Sequence, residues 1–250
     1  MPISGLFFFI IKYKKFSWIV YLVCIITPFI TFVLSKNPHL INTHGASALF
    51  ILIIAIPAYI GLMRSIGYKR GILLIVSIYM FAMIIESIAL ITGIPYGTFT
   101  YNDQTVGFAW SPILIGSGYI STLITKNILF QTTLIIVFTL LLDFIMDHGA
   151  VAIGFWHYDE VSFIYGVPFS NFVGWIFSGS IGAVFWLLFT QKITVTKTSV
   201  LLLVSYLVNL YFWNWICIWH SLWISVCISI LLLISLLVID YEFSTESEHL

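Results

Sequence analysis

Glu86, Asp143 and Asp147 are carboxyl groups set in long apolar runs, where an ionisable side chain costs up to about 3 kcal/mol unless it is paired or buried in protein. Residues kept at that cost need a use. Asp143 and Asp147 are spaced i, i+4, which on a helix puts both on one face, one turn apart. The nearby segments bring no lysine or arginine but an aromatic cluster denser than an interfacial belt needs: Trp156, Tyr158, Tyr165, Phe169 and Trp175. This set suits acid catalysis on an apolar substrate. A carboxylic acid that keeps its proton at pH 7 in a dry site, a change worth about 4 kcal/mol relative to water, can protonate a carbon–carbon double bond. The resulting tertiary carbocation is stabilised by aromatic faces and by a neighbouring carboxylate, and water activated by that carboxylate completes a hydration.

The elements that must position these groups are membrane helices. Of 250 residues 61% are hydrophobic and only 8% charged, which excludes a water-soluble globule. Ten basic residues balance ten acidic ones, so there is no basic surface for nucleic acid. The three cysteines, Cys24, Cys217 and Cys227, sit in apolar runs without CxxC spacing and offer neither a disulfide framework nor a zinc ribbon. The apolar stretch at the N-terminus precedes its lysines, the reverse of a signal peptide, and reads as a retained interfacial segment.

A bilayer core of about 30 Å asks for about 20 apolar residues per span. On that measure spans fall near 18–34, 46–63, 71–92, 110–125, 128–146, 169–190, 199–215 and 222–240. The fourth is short, rich in Gly and Ser and opened by Ser111-Pro112; the last two are cut from one long apolar run by a turn placed at 217–221. With both termini in the cytoplasm, Lys12, Lys14, Lys15, Arg64, Lys69, Arg70, Lys126, Lys192 and Lys197 all fall inside and only Lys36 outside. The expectation is an all-α, polytopic bundle of about eight helices forming a single domain over 1–250, with its motifs in 86–175. The loops 93–109 and 147–168 then open on the same, non-cytoplasmic side, and one site can be built from both.

Blander roles stand beside the chemical ones. Glu86 can hydrogen-bond a neighbouring helix, and the aspartates can cap a wet interface. His148, His157 and Asp159 could ligate a metal, but no HxxxH or HExxH pair preorganises them, and no metal is assigned. Most of the 18% aromatic content is core and interfacial belt. Gly174, Gly179 and Gly182 read as close-packing positions on the sixth span, and a buried Asn171 could join two helices.

The segments ESIALITGIPYGTFTY (86–101), LDFIMDHGAVAIGFWHYD (142–159) and YGVPFSNFVGW (165–175) resemble, in order and spacing, the membrane carotenoid hydratases of the bisanhydrobacterioruberin hydratase and γ-carotene 1′-hydroxylase type. The resemblance covers the third to sixth spans; the ends are similar only in hydropathy. It implies addition of water to the terminal double bond of a linear ψ-type end group, giving a tertiary alcohol without a redox cofactor. Glu86, Asp143 and Asp147 fall where that family keeps its acids, and Tyr96, Tyr101, Trp156, Tyr165, Asn171 and Trp175 where it keeps polar-aromatic residues. His157 and Tyr158 join them as expected substrate contacts. The family pattern has proline after Met146-Asp147 where this chain has His148, which implies altered helix termination or a second proton-handling group. Asp143 or Glu86 is expected to donate the proton, with Asp147, at the wetter end, orienting water.

The implied partners are a long polyene, the lipid bilayer and other membrane enzymes of carotenoid synthesis, and the implied location is the cell membrane. Three rivals remain. An end-group cyclase begins with the same protonation but traps the cation internally. A prenyltransferase would use Asp143-xxx-Asp147 for Mg²⁺ and diphosphate, yet Lys36 is the single cation expected on that side. A proton-coupled transporter would be expected to show an inverted repeat and acids in the cytoplasmic half.

Overall fold

The computed structural model describes residues 17–40, 44–101, 107–190 and 200–246. Along them run eight α-helices: α1 (Ser17–Lys36), α2 (His44–Ile66), α3 (Tyr68–Thr92), α4 (Gly107–Ile124), α5 (Ile128–Ala152), α6 (Phe169–Thr190), α7 (Val200–Trp219) and α8 (Trp223–Glu246). Each coincides with one of the eight apolar runs expected, to within one residue where the run extends past the helix. Five have described stretches long and apolar enough to cross a membrane: Leu49–Ile66, Tyr68–Thr92, Ile128–Ala152, Phe169–Thr190 and Leu201–Trp219. Their outer faces are apolar as well. On α3 the exposed residues Leu73, Val76, Met80, Ile84, Ile88 and Ile91 follow helical spacing, the stripe a helix turns toward lipid rather than water. The protein is an integral membrane helical bundle. The N-terminal interfacial segment and Lys12, Lys14, Lys15, Lys192 and Lys197 lie outside the described residues.

Helix ends follow local chemistry. Gly93 closes α3 in the left-handed conformation, φ 75°, and its N–H donates to the Ala89 carbonyl. The Asn127 side chain opens α5 by accepting from the Phe130 N–H at 3.1 Å. The α7–α8 turn falls at His220-Ser221, within the segment expected to hold it, and Ser221 takes φ 57°.

Two elements depart from the expected lengths. α5 continues to Ala152, beyond the expected end at 146, and His148 lies inside the helix, one turn before its last residue. The helix is therefore not terminated there. The Gly- and Ser-rich α4, the weakest span by hydropathy, is the most enclosed helix, buried from Trp110 to Ser121. Its small residues admit neighbours: a Cβ at Gly116 would strike the Tyr206 ring of α7, and one at Gly118 the Trp186 indole of α6.

The two loops do meet. β1 (Phe99–Tyr101) pairs antiparallel with β2 (Trp156–Tyr158), matching Phe99 with Tyr158, Thr100 with His157 and Tyr101 with Trp156. Glu160 fastens this two-stranded sheet to the start of α6, accepting from the Thr98 N–H at 3.1 Å and the Ser170 hydroxyl at 2.7 Å. Gly97 is needed there, since its φ is 91° and a Cβ would lie 2.7 Å from the Ser170 hydroxyl oxygen. Gly174, Gly179 and Gly182 pack against Tyr96, Ile136 and Leu114 respectively, the close-approach role expected of them.

Candidate active site

Beside the paired strands lies a cavity lined mostly by apolar and aromatic side chains, with a few polar groups among them. Its floor and walls come from six helices and both strands. α3 delivers Glu86, 7% exposed, whose carboxylate accepts from the Trp110 indole N–H at 2.6 Å. Trp110 comes from the first turn of α4, so this bond ties the two helices at the cavity edge. Its ring stacks on Trp175 of α6, centroids 4.5 Å apart at 29°. Tyr96 stands edge-on to Trp110 at 6.0 Å and tilted to Trp175 at 6.1 Å, and its hydroxyl is hydrogen-bonded to Ser178 of α6. Gly174 makes room for the Tyr96 ring.

α5 delivers Asp147, 2% exposed, which accepts from the Tyr158 hydroxyl at 3.0 Å and from the Asn171 amide. The partner strands are what bring Tyr158 there: with period two, Trp156 and Tyr158 turn inward and His157 outward. Asp143, fully buried one turn below, receives a longer bond of 3.5 Å from the same Asn171 amide. Its carboxyl lies within hydrogen-bond reach of Asp147.

Of the residues expected in the site, Glu86, Asp147, Tyr96, Trp156, Tyr158, Asn171 and Trp175 line the cavity together. Others are placed differently. Asp143 stands behind Asp147 and does not border the cavity, because the i, i+4 step also carries it deeper along α5. His157 is exposed on the outer face of the strand. Tyr165 packs edge-on to His148 at 5.2 Å, away from the cavity. The Tyr101 backbone pairs with Trp156, and its side chain lies outside what is described. His148 and the pair His157 and Asp159 do not converge, one being buried and the others exposed, so they build no shared metal site.

Several lining residues were not singled out from sequence: Trp110, Phe99, Phe155, Phe50, Asn209 and Trp213. For Trp110 the available signal pointed elsewhere, to an interfacial tryptophan at a span end. Asn209 carried the same signal as Glu86, a polar side chain inside an apolar run, and could have been found by it.

The model for carotenoid biosynthesis proteins matches residues 45–236, a stretch that begins near the start of α2 and reaches well into α8. The chain belongs to this carotenoid biosynthesis family. Within the curated proteins, the bisanhydrobacterioruberin hydratase of Haloarcula japonica is 33% identical over 144 residues, covering 52% of this chain and 48% of that protein. The chain thus spans about half the length of the curated relative it matches. No solved structure matches. Family membership agrees with the architecture: a mostly apolar cavity among membrane helices, with polar side chains reaching it from α3, α5, α6 and α7.

Proposed function

We propose that this family member is a carotenoid hydratase, adding water to the terminal double bond of a linear carotenoid end group to give a tertiary alcohol without a redox cofactor. The observation that carries the reading is that Glu86 and Asp147 face one apolar cavity in which the stacked Trp110 and Trp175 rings stand beside Glu86. An alkene held there has a proton donor, a base and a cation-stabilising surface within the same enclosure.

Glu86 is assigned the donor role: its carboxylic proton adds to the less substituted carbon, the π pair becomes the new C–H bond, and a tertiary cation forms. Trp110 and Trp175 stabilise that cation. Water then contributes a lone pair to the new C–O bond, and its proton passes to Asp147. Asp147 takes the base role because it borders the cavity, where the Tyr158 hydroxyl and the Asn171 amide donate to it and fix its orientation. Asp143 acts through Asp147, since it has no face on the cavity. Proton exchange from Asp147 back to Glu86 restores the starting state, so atoms and charge balance with water as the sole co-reactant.

The reading extends to a single membrane domain over 1–250 with both termini in the cytoplasm, the site toward the opposite surface of the cell membrane, and other carotenoid-pathway enzymes as neighbours. Expression in a lycopene-producing bacterial host, with mass analysis of the extracted carotenoids, tests the activity. A product heavier by one water supports it. An isomer of unchanged mass and shifted absorption, its end group closed into a ring, would mean an end-group cyclase.

A further inference from the structure

A helical wall outside the acid-bearing motifs also presents a polar group to the cavity. α7 contributes Asn209 and Trp213, one turn apart, beside the apolar Phe50, Ile51 and Ile54 of α2. Tyr206 donates to the Phe138 carbonyl of α5 at 2.8 Å, and Trp213 lies against Gly149 of α5, 2.9 Å from where a Cβ would stand. Asn209 falls between these two contacts on α7. It therefore sits alongside the stretch of α5 that carries Asp143 and Asp147.

An asparagine within a membrane bundle ordinarily joins two helices. Asn209 does not do so among the described residues: its amide N–H donates to the Ser205 carbonyl of its own helix at 3.0 Å. The α2–α7 junction is made instead by Ser205, whose hydroxyl accepts from the Ala58 N–H at 3.0 Å. One of its two amide N–H groups is committed along the helix; the carbonyl oxygen makes no hydrogen bond among the described residues and is the acceptor this cavity-lining side chain can offer to an occupant.

A water molecule about to attack a carbocation must point a lone pair at carbon. Its two hydrogens then need two acceptors. One is the base that takes the proton; the other only holds the molecule in place. Asn171 is tied to both aspartates, so changing it disturbs the acids as well. Asn209 has no hydrogen bond to an acid among the described residues.

We propose that Asn209 holds the attacking water, and so decides whether the cation is captured as alcohol or loses a proton to give an isomeric alkene. This inference rests on the hydratase reading. In it Asn209 is a specificity-determining residue: protonation needs Glu86, whereas the fate of the cation depends on the α7 wall.

The test is the ratio of hydrated to mass-neutral isomeric product from lycopene, measured for wild type, Asn209→Leu and Asn209→Asp at equal amounts of membrane-inserted protein. Leucine keeps the bulk and removes the acceptor; aspartate keeps the shape and an acceptor oxygen. The expected result is a fall in the ratio of about tenfold for Asn209→Leu, the worth of one well-placed hydrogen bond, with continued formation of isomer. Asn209→Asp should restore the alcohol. An unchanged ratio in Asn209→Leu beside a hydrating wild type would overturn the inference alone. Loss of both products in Asn209→Leu would also overturn it, because the residue would then serve protonation or folding. Absence of alcohol from the wild type would overturn the hydratase reading itself, and this inference with it.

Discussion

Asp147 and His148 are adjacent in the chain, both buried, and belong to different parts of the molecule. One residue along α5 turns the side chain by about 100°. Asp147 thereby enters the cavity and meets Tyr158 and Asn171. His148 faces α8, its Nδ1 2.7 Å from the Ser225 hydroxyl, with Phe144 and Tyr165 edge-on at 4.2 and 5.2 Å. Both surroundings are aromatic and polar. What separates them is open space: the first borders a cavity, and the second is a packed junction between helices. A polar, aromatic setting is therefore no sufficient mark of a site; the bordering cavity is.

The largest expected effect breaks this comparison at its acid side. Glu86→Gln and Asp147→Asn should each lower alcohol formation by about 10²–10⁴-fold, the usual worth of a general acid or base, with inserted protein retained. His148→Gln should leave the product and its amount near wild type, read by the same carotenoid extraction. Strong loss in His148→Gln would mean that the junction takes part in chemistry after all.

A smaller loss is expected from the cation-stabilising wall. Trp175→Leu removes one of the two stacked rings and should lower alcohol formation by about tenfold, as a cation–π contact of 1–2 kcal/mol predicts. Trp110→Phe separates ring from hydrogen bond: it keeps an aromatic face but releases the Glu86 carboxylate. If Trp110→Phe is as active as wild type, the indole N–H bond does not position the acid.

The remaining two changes concern packing alone. Gly118→Ala drives a methyl group into the Trp186 indole and should destabilise the bundle by about 1–3 kcal/mol, seen as a lower melting temperature in detergent. Activity per folded molecule should persist. Ser225→Ala removes the His148 partner and should cost about 1 kcal/mol by the same measurement, with the product ratio unmoved.

Much of the bundle is legible in the sequence, because a helix that must cross lipid announces itself by an apolar run of fixed length. α4 is the exception in kind. Its Gly116 and Gly118 lower hydropathy yet mark the most buried helix, since in a membrane small residues signal close packing rather than exposure. Glu86 and Asp147 were legible for the complementary reason, that a carboxyl in lipid needs partners. Spacing alone did not separate Asp143 from Asp147: both share a face, but the cavity reaches only the outer one. His157 and Tyr165 stood out because they lie among site residues in the chain. Strand alternation sends the first outward, and the loop leading to α6 carries the second to His148. Trp110 and Asn209 enter through helix packing, which joins residues 24 apart in the first case and brings α7 to the acids in the second.

The most direct test of the central claim is mass analysis of carotenoids from a lycopene-producing host carrying wild type, Glu86→Gln or Asp147→Asn, each shown to be membrane-inserted. A product heavier by one water with wild type, and its loss in both variants, is the predicted result. Alcohol formed at wild-type levels by either variant would contradict the claim that these two carboxyls carry the reaction.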